Sequence, residues 1–230
     1  MVFTYNEIST MMDHALLSPT LTSEDLEAGC QMAVDYQVAS VCILPYYLKR
    51  CAEILRFSSV KPSTTIGFPH GGSTISTKCA EAQQAIVDGC QELDMVVNVS
   101  QVLSGDWNYV RRDIQAVVDV AHGVGQKVKV IFETCYLNRD QKLKLCEICS
   151  LLHVDWVKTS TGFGPSGAMF DDLELMIANT PDRVQVKAAG GVKTLDTVCE
   201  MRALGVTRVG SSRTADILNE CRQRLMTKDG

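Results

Sequence analysis

Short, nearly continuous apolar runs recur along the chain, and longer segments with apolar residues at helical spacing separate them. The runs predict strands at 11–17 (MMDHALL), 39–45 (ASVCILP), 64–69 (TTIGFP) and 92–98 (ELDMVVN). Four more follow at 128–134 (VKVIFET), 154–160 (VDWVKTS), 184–190 (VQVKAAG) and 207–211 (TRVGS). Runs this apolar suit strands covered on both faces. Between them, SEDLEAGCQMAVDYQ reads as a helix with Ser23 as N-cap and Glu24 and Asp25 in the first turn. KCAEAQQAIVDG closes on Gly89 and DWNYVRRDIQAVVDVAHG on Gly123, each a glycine stop. RDQKLKLCEICSLL and LDTVCEMRALG are two further helical patterns. Strands alternating with helices predict an α/β protein with a parallel sheet and right-handed crossovers. Eight strands predict closure into a (β/α)8 TIM barrel, taken as a single domain over 1–230. An open doubly wound sheet is the alternative; it would carry a G-x-G-x-x-G turn after the first strand, and this chain has none there.

Composition narrows the picture. A 46% hydrophobic content supplies one well-packed core, and no low-complexity linker divides it. The net charge of −5 comes with scattered Lys and Arg, which argues against a nucleic-acid partner. The opening MVFTYNEIST lacks a basic patch followed by an apolar run, and no stretch is apolar enough to span a membrane. The expectation is therefore a cytoplasmic enzyme. Of the ten cysteines, Cys30, Cys79, Cys90, Cys199 and Cys221 lie in apolar contexts that suit small buried hydrophobes. Cys146 and Cys149 form a C-x-x-C without a second pair, so no metal site is expected there.

In such a barrel the chemistry belongs at the C-terminal ends of the strands. Lys129 opens its predicted strand and is expected at the bottom face or in solvent. Lys158 in VKTSTG and Lys187 in VKAAGG stand late in consecutive, hence neighbouring, strands. Lysine is almost never fully buried without cause. One reading pairs each with a carboxylate such as Asp94 of ELDMVVN. The other makes one a nucleophilic amine and the second a cation that keeps it deprotonated. Asp94, costly inside an apolar strand unless paired, either balances a lysine or also relays protons. The last two strands end in Gly190-Gly191-Val192-Lys193-Thr194 and Gly210-Ser211-Ser212-Arg213, turns of the kind that bind phosphate in this fold.

VKTSTGFG, VKAAGGVKT, ELDMVVN and MDHALL, in this order and spacing, resemble the deoxyribose-phosphate aldolase family over residues 11 to 213. The resemblance implies a class I aldolase that needs no metal or other cofactor. Such an enzyme reversibly cleaves 2-deoxy-D-ribose 5-phosphate to acetaldehyde and D-glyceraldehyde 3-phosphate. It further implies that Lys158 is the Schiff-base lysine, Lys187 the second active-site lysine and Asp94 the proton-relay aspartate. Gly190, Gly191, Gly210 and Ser212 then fall in the phosphate loops, Gly162 near the substrate and Cys42 beside the site. Ala15, His70 and Arg213 depart from the family pattern, and His70 and Arg213 bear on substrate preference. Another sugar-phosphate aldolase and a non-catalytic phosphate binder stay open as alternatives. The sequence leaves the oligomeric state open, a homodimer included.

Overall fold

The structure, a computed structural model, describes residues 3–227. In chain order it runs α1 (Tyr5–Ser9), β1 (Met12–Leu16), α2 (Ser23–Asp35), β2 (Ser40–Ile43), α3 (Leu48–Leu55), β3 (Lys61–Ile66) and α4 (Ile75–Val87). It continues with β4 (Glu92–Val96), α5 (Val99–Ser104), α6 (Trp107–His122), β5 (Lys127–Ile131), α7 (Arg139–Leu151) and β6 (Trp156–Lys158). The last elements are α8 (Phe170–Ala178), β7 (Gln185–Ala189), α9 (Leu195–Leu204), β8 (Arg208–Ser211) and α10 (Thr214–Met226). The eight strands form a closed barrel in sequence order, every pairing parallel, with β8 returning to β1. All eight predicted strands are present.

Local chemistry sets the helix ends. Thr22 caps α2, and Asp25 answers it by accepting from the Thr22 backbone, so the cap is one residue earlier than Ser23. Asn138 and Gln141 make the same reciprocal pair at α7. Gly123 keeps a right-handed conformation, and the left-handed glycine stop after α6 is Gly125 instead. The strand β3 begins at Lys61, ahead of the predicted start, because Pro62 is accommodated within the ladder opposite Val41. Helices α3, α8 and α10, unassigned from the sequence pattern, complete the outer ring.

Alternate strand residues serve two environments. Leu93, Met95, Val128, Val130 and Val157 join the apolar core between strands and helices. Their neighbours Glu92, Asp94, Lys129 and Lys158 turn inward. The proof is that Asp94 of β4 meets Lys187 of β7, and Asp13 of β1 meets Lys129 of β5, contacts that only the barrel interior allows. The interior of this barrel is thus ionic, where the usual filling is Val, Ile and Leu.

Lys129 is the clearest correction. It is wholly buried, with Nζ 2.6 Å from Glu92, 2.9 Å from Asp94 and 3.6 Å from Asp13. The strand starts at Lys127, which takes the exposed position, so Lys129 is the middle residue and points at carboxylates. A second buried pair, also unforeseen, lies outside the barrel. Lys78 of α4 reaches Asp113 of α6 at 2.6 Å and the Val96 carbonyl at 2.9 Å, tying both helices to the end of β4.

His14, buried next to Asp13, places Nδ1 3.0 Å from the Thr214 hydroxyl of α10. Burial pulls its imidazole down to about 4 from the ordinary 6.5. The unfolded chain then binds the proton first as pH falls. Stability present above about pH 6.5 is lost towards pH 4, by up to about 3 kcal/mol from this residue. His14→Asn keeps a polar nitrogen near Thr214 without titrating. Urea midpoints measured from pH 7 to pH 4.5 should fall less steeply in the variant, whereas parallel curves would show that His14 carries no such linkage.

Candidate active site

The β6 strand ends at Lys158, and the backbone beyond it opens into the loop that carries Thr161, Gly162 and Phe163. Lys158 is 2% exposed and lies at the base of a cavity of about 760 Å³ at the C-terminal mouth of the barrel. Lys187, the central residue of β7, is its register partner across the ladder and lines the same cavity. Asp94 sits beneath them. One of its oxygens, Oδ2, accepts from Lys158 at 2.8 Å and from Lys187 at 2.7 Å. The other, Oδ1, accepts from Lys129 at 2.9 Å and from the Ser63 hydroxyl at 3.4 Å.

The two amines differ because their carboxylate partners differ. Burial lowers the Lys158 pKa most; Asp94 pulls it back up, and the Lys187 charge lowers it again, leaving a net depression. Burial acts on Lys187 in the same sense, yet Asp13, 2.6 Å away, and then Asp94 outweigh it and hold Lys187 above the ordinary lysine value. Asp94 itself stays well below the carboxylate range: burial opposes its charge, but Lys129, Lys158 and Lys187 together prevail. The arrangement presents one amine that gives up its proton more readily than a free lysine, one ammonium beside it, and one carboxylate that both can reach. An amine of this kind attacks carbonyl carbon. Cys42, also on the cavity wall, is fully buried, and burial pushes its thiol up, away from nucleophilic use.

The glycine and serine turns gather on one side of the cavity. Gly162, Gly190, Gly191, Gly210 and Ser212 all line it. Gly190 has φ +85°, and a Cβ there would lie 2.8 Å from the Gly167 Cα, so no side chain fits where the two loops cross. At Gly210 a Cβ would stand 3.4 Å from Cε of Lys187, and the bare backbone leaves that lysine its room. Ser211 donates to the Val192 carbonyl at 2.7 Å, locking the last two turns together, and Ser212 beside it lines the cavity. Arg213 also lines the cavity, paired with Asp216 one helical turn on. His70 is exposed and is absent from the cavity wall.

Several residues of the site were not singled out from the sequence. Asp13 carries the same signal as Asp94, a carboxylate in an apolar run, and it reaches Lys187, Lys129 and Arg208. Glu92 and Arg208 stand at predicted strand starts, where a charge reads as surface, yet they pair with each other inside the barrel at 2.8 Å. Glu133 follows β5 with φ +54° and, nearly buried, accepts from the Thr161 backbone at 3.2 Å and from its hydroxyl. It anchors the loop that leaves Lys158. Among the described residues, no three His, Cys, Asp or Glu side chains group to hold a metal ion.

Comparison with known proteins places the chain in a family. Residues 8–209 match the DeoC/LacD family aldolase. The deoxyribose-phosphate aldolase of Rhodopirellula baltica is 60% identical over 97% of this chain and 92% of its own length. That of Caldicellulosiruptor saccharolyticus is 42% identical over 94% of this chain and 99% of its own. Among solved structures, the tetrameric deoxyribose phosphate aldolase from Aeropyrum pernix superposes with a TM-score of 0.88 at 27% identity, covering 95% of this chain and 92% of that one. A barrel whose strand ends bring two lysines onto one buried carboxylate, and whose sequence matches along nearly all its length, belongs to the DeoC/LacD aldolase family.

Proposed function

We propose that this enzyme reversibly cleaves 2-deoxy-D-ribose 5-phosphate to acetaldehyde and D-glyceraldehyde 3-phosphate through an imine on Lys158. The observation that carries the reading is the single Asp94 oxygen shared by Lys158 and Lys187 at the base of the cavity. The neutral Lys158 amine adds to the C1 aldehyde of the open-chain sugar, and the carbinolamine takes up a proton and loses water to leave an iminium. The iminium draws the C2–C3 bonding pair towards nitrogen as the C3 hydroxyl proton leaves to a base. Asp94, with Lys187 and water, serves that proton transfer. The resulting enamine takes a proton at C2, and hydrolysis releases acetaldehyde and returns the amine. Phosphate held by the turns of Gly190, Gly191, Gly210 and Ser212, with Gly162 alongside, fixes the far end of the substrate. Binding energy spent there positions C1 at Lys158.

Among the described residues no helix is long and apolar enough to cross a membrane. Ten free cysteines are in keeping with a reducing cytoplasm. Self-association, a homodimer being its simplest form, is in keeping with the tetrameric Aeropyrum relative.

Acetaldehyde followed by borohydride tests the reading. Reduction should add one ethyl group per chain, mapped by peptide mass spectrometry to Lys158. A label on Lys187 would reverse the two roles, and a folded protein that takes no label would be a binder and no aldolase of this class.

A further inference from the structure

The charges within the barrel do not balance. Asp13, Glu92 and Asp94 bring three negative charges, and Lys129, Lys158, Lys187 and Arg208 bring four positive ones, all buried or nearly so. Partners are unequally shared. Lys129 reaches all three carboxylates. Lys187 reaches Asp13 and Asp94, and Arg208 reaches Asp13 and Glu92. Among the described residues Lys158 reaches Asp94 alone, on the oxygen that Lys187 also uses.

We infer that Glu92 and Arg208 are positioning residues for the reaction: with Lys129 they complete an ionic chain whose count leaves Lys158 as the one unmatched amine. This rests on the imine reading above and goes beyond the lysine pair. Neither residue lines the cavity, so neither meets substrate. Arg208 grips Glu92 through both nitrogens, at 3.0 and 2.8 Å, and stacks 4.9 Å from the Trp156 ring centre. Glu92 in turn holds Lys129 at 2.6 Å, and Lys129 holds Asp94. The charge at the far end therefore reaches Lys158 through two intermediate ion pairs.

Strands all round the barrel bring groups towards the interior that holds Lys158, and of these Asp94, Lys187 and Cys42 act on it most strongly. The ionisable groups are Asp13 on β1, Cys42 on β2, Glu92 and Asp94 on β4, Lys129 on β5, Lys187 on β7 and Arg208 on β8, while β3 offers the neutral Ser63. With the thiol protonated and Lys158 neutral, three charges of each sign cancel. Charging Lys158 places an uncompensated cation in a medium that solvates it poorly.

The test is the pH dependence of imine formation, read as borohydride-trapped acetaldehyde in folded variants. Glu92→Gln removes a negative charge and should move the midpoint down by about one pH unit. Arg208→Gln should move it up by a similar amount, about tenfold in trapping rate at a fixed pH below the midpoint. The double variant Glu92→Gln/Arg208→Gln should return close to the wild-type midpoint, and Arg208→Lys should stay there. Lys129→Met has the same predicted sign as Arg208→Gln and replaces it should that variant not fold. A purely structural role would lower rates without moving midpoints in opposite directions, so single variants that keep the wild-type midpoint, or shift alike, overturn the inference alone. Absence of label on Lys158 in the wild type would overturn the imine reading and this inference with it.

Discussion

Lys187→Met is expected to slow imine formation at neutral pH by on the order of a hundredfold, with the midpoint raised by about two pH units. Lys187 acts on Lys158 in two ways. Its ammonium repels a second cation, and it occupies the Asp94 oxygen that would otherwise stabilise that cation, 2.7 Å away against 2.8 Å for Lys158. Methionine removes both effects with little change of length. Asp94 then falls to Lys158 and Lys129, and Lys158 becomes a well-matched ammonium. Raising the pH to about 9 or 10 should restore much of the imine rate. Overall turnover should recover less, because Lys187 also takes part in moving the C3 proton. An unchanged midpoint with only a lower plateau would mean that Lys187 acts through positioning or proton transfer and does not set the charge of Lys158.

That pair of lysines was legible in the sequence because burial of Lys is rare and because strand order makes consecutive strands neighbours. Register partners Lys158 and Lys187 follow from that logic. Asp94 was legible for the same reason, as a charge inside an apolar run. Lys129, Glu92 and Arg208 escaped it. Each stands near the start of its predicted strand, and a charge there is ordinarily exposed. Period-two alternation says which face a residue takes but not what fills that face. Only closure of the barrel brings Arg208 of β8 to Glu92 of β4, across the interior. The αL conformation of Glu133 left no mark either, since glutamate is not a residue that announces positive φ.

Asp94→Asn should separate the two steps in the opposite way from Lys187→Met. The amide cannot offset three lysines, so only Asp13 and Glu92 remain against Lys129, Lys187 and Arg208. Lys158, which has no other carboxylate, is driven further towards its neutral form, and the imine midpoint should fall. Trapping of acetaldehyde at neutral pH should therefore persist. Cleavage of the sugar phosphate should drop by roughly 10²- to 10⁴-fold, the range for loss of a positioned acid or base. Stability should fall by about 3 to 5 kcal/mol, the cost of removing one partner from a buried ionic group. Those two losses are separable, because trapping is measured on the folded protein and urea melts report stability independently. The decisive comparison is single-turnover trapping against cleavage, at one pH, in both variants. A midpoint that rises in Asp94→Asn, or cleavage that declines no more than trapping, would show that Asp94 holds the lysines in place without moving protons.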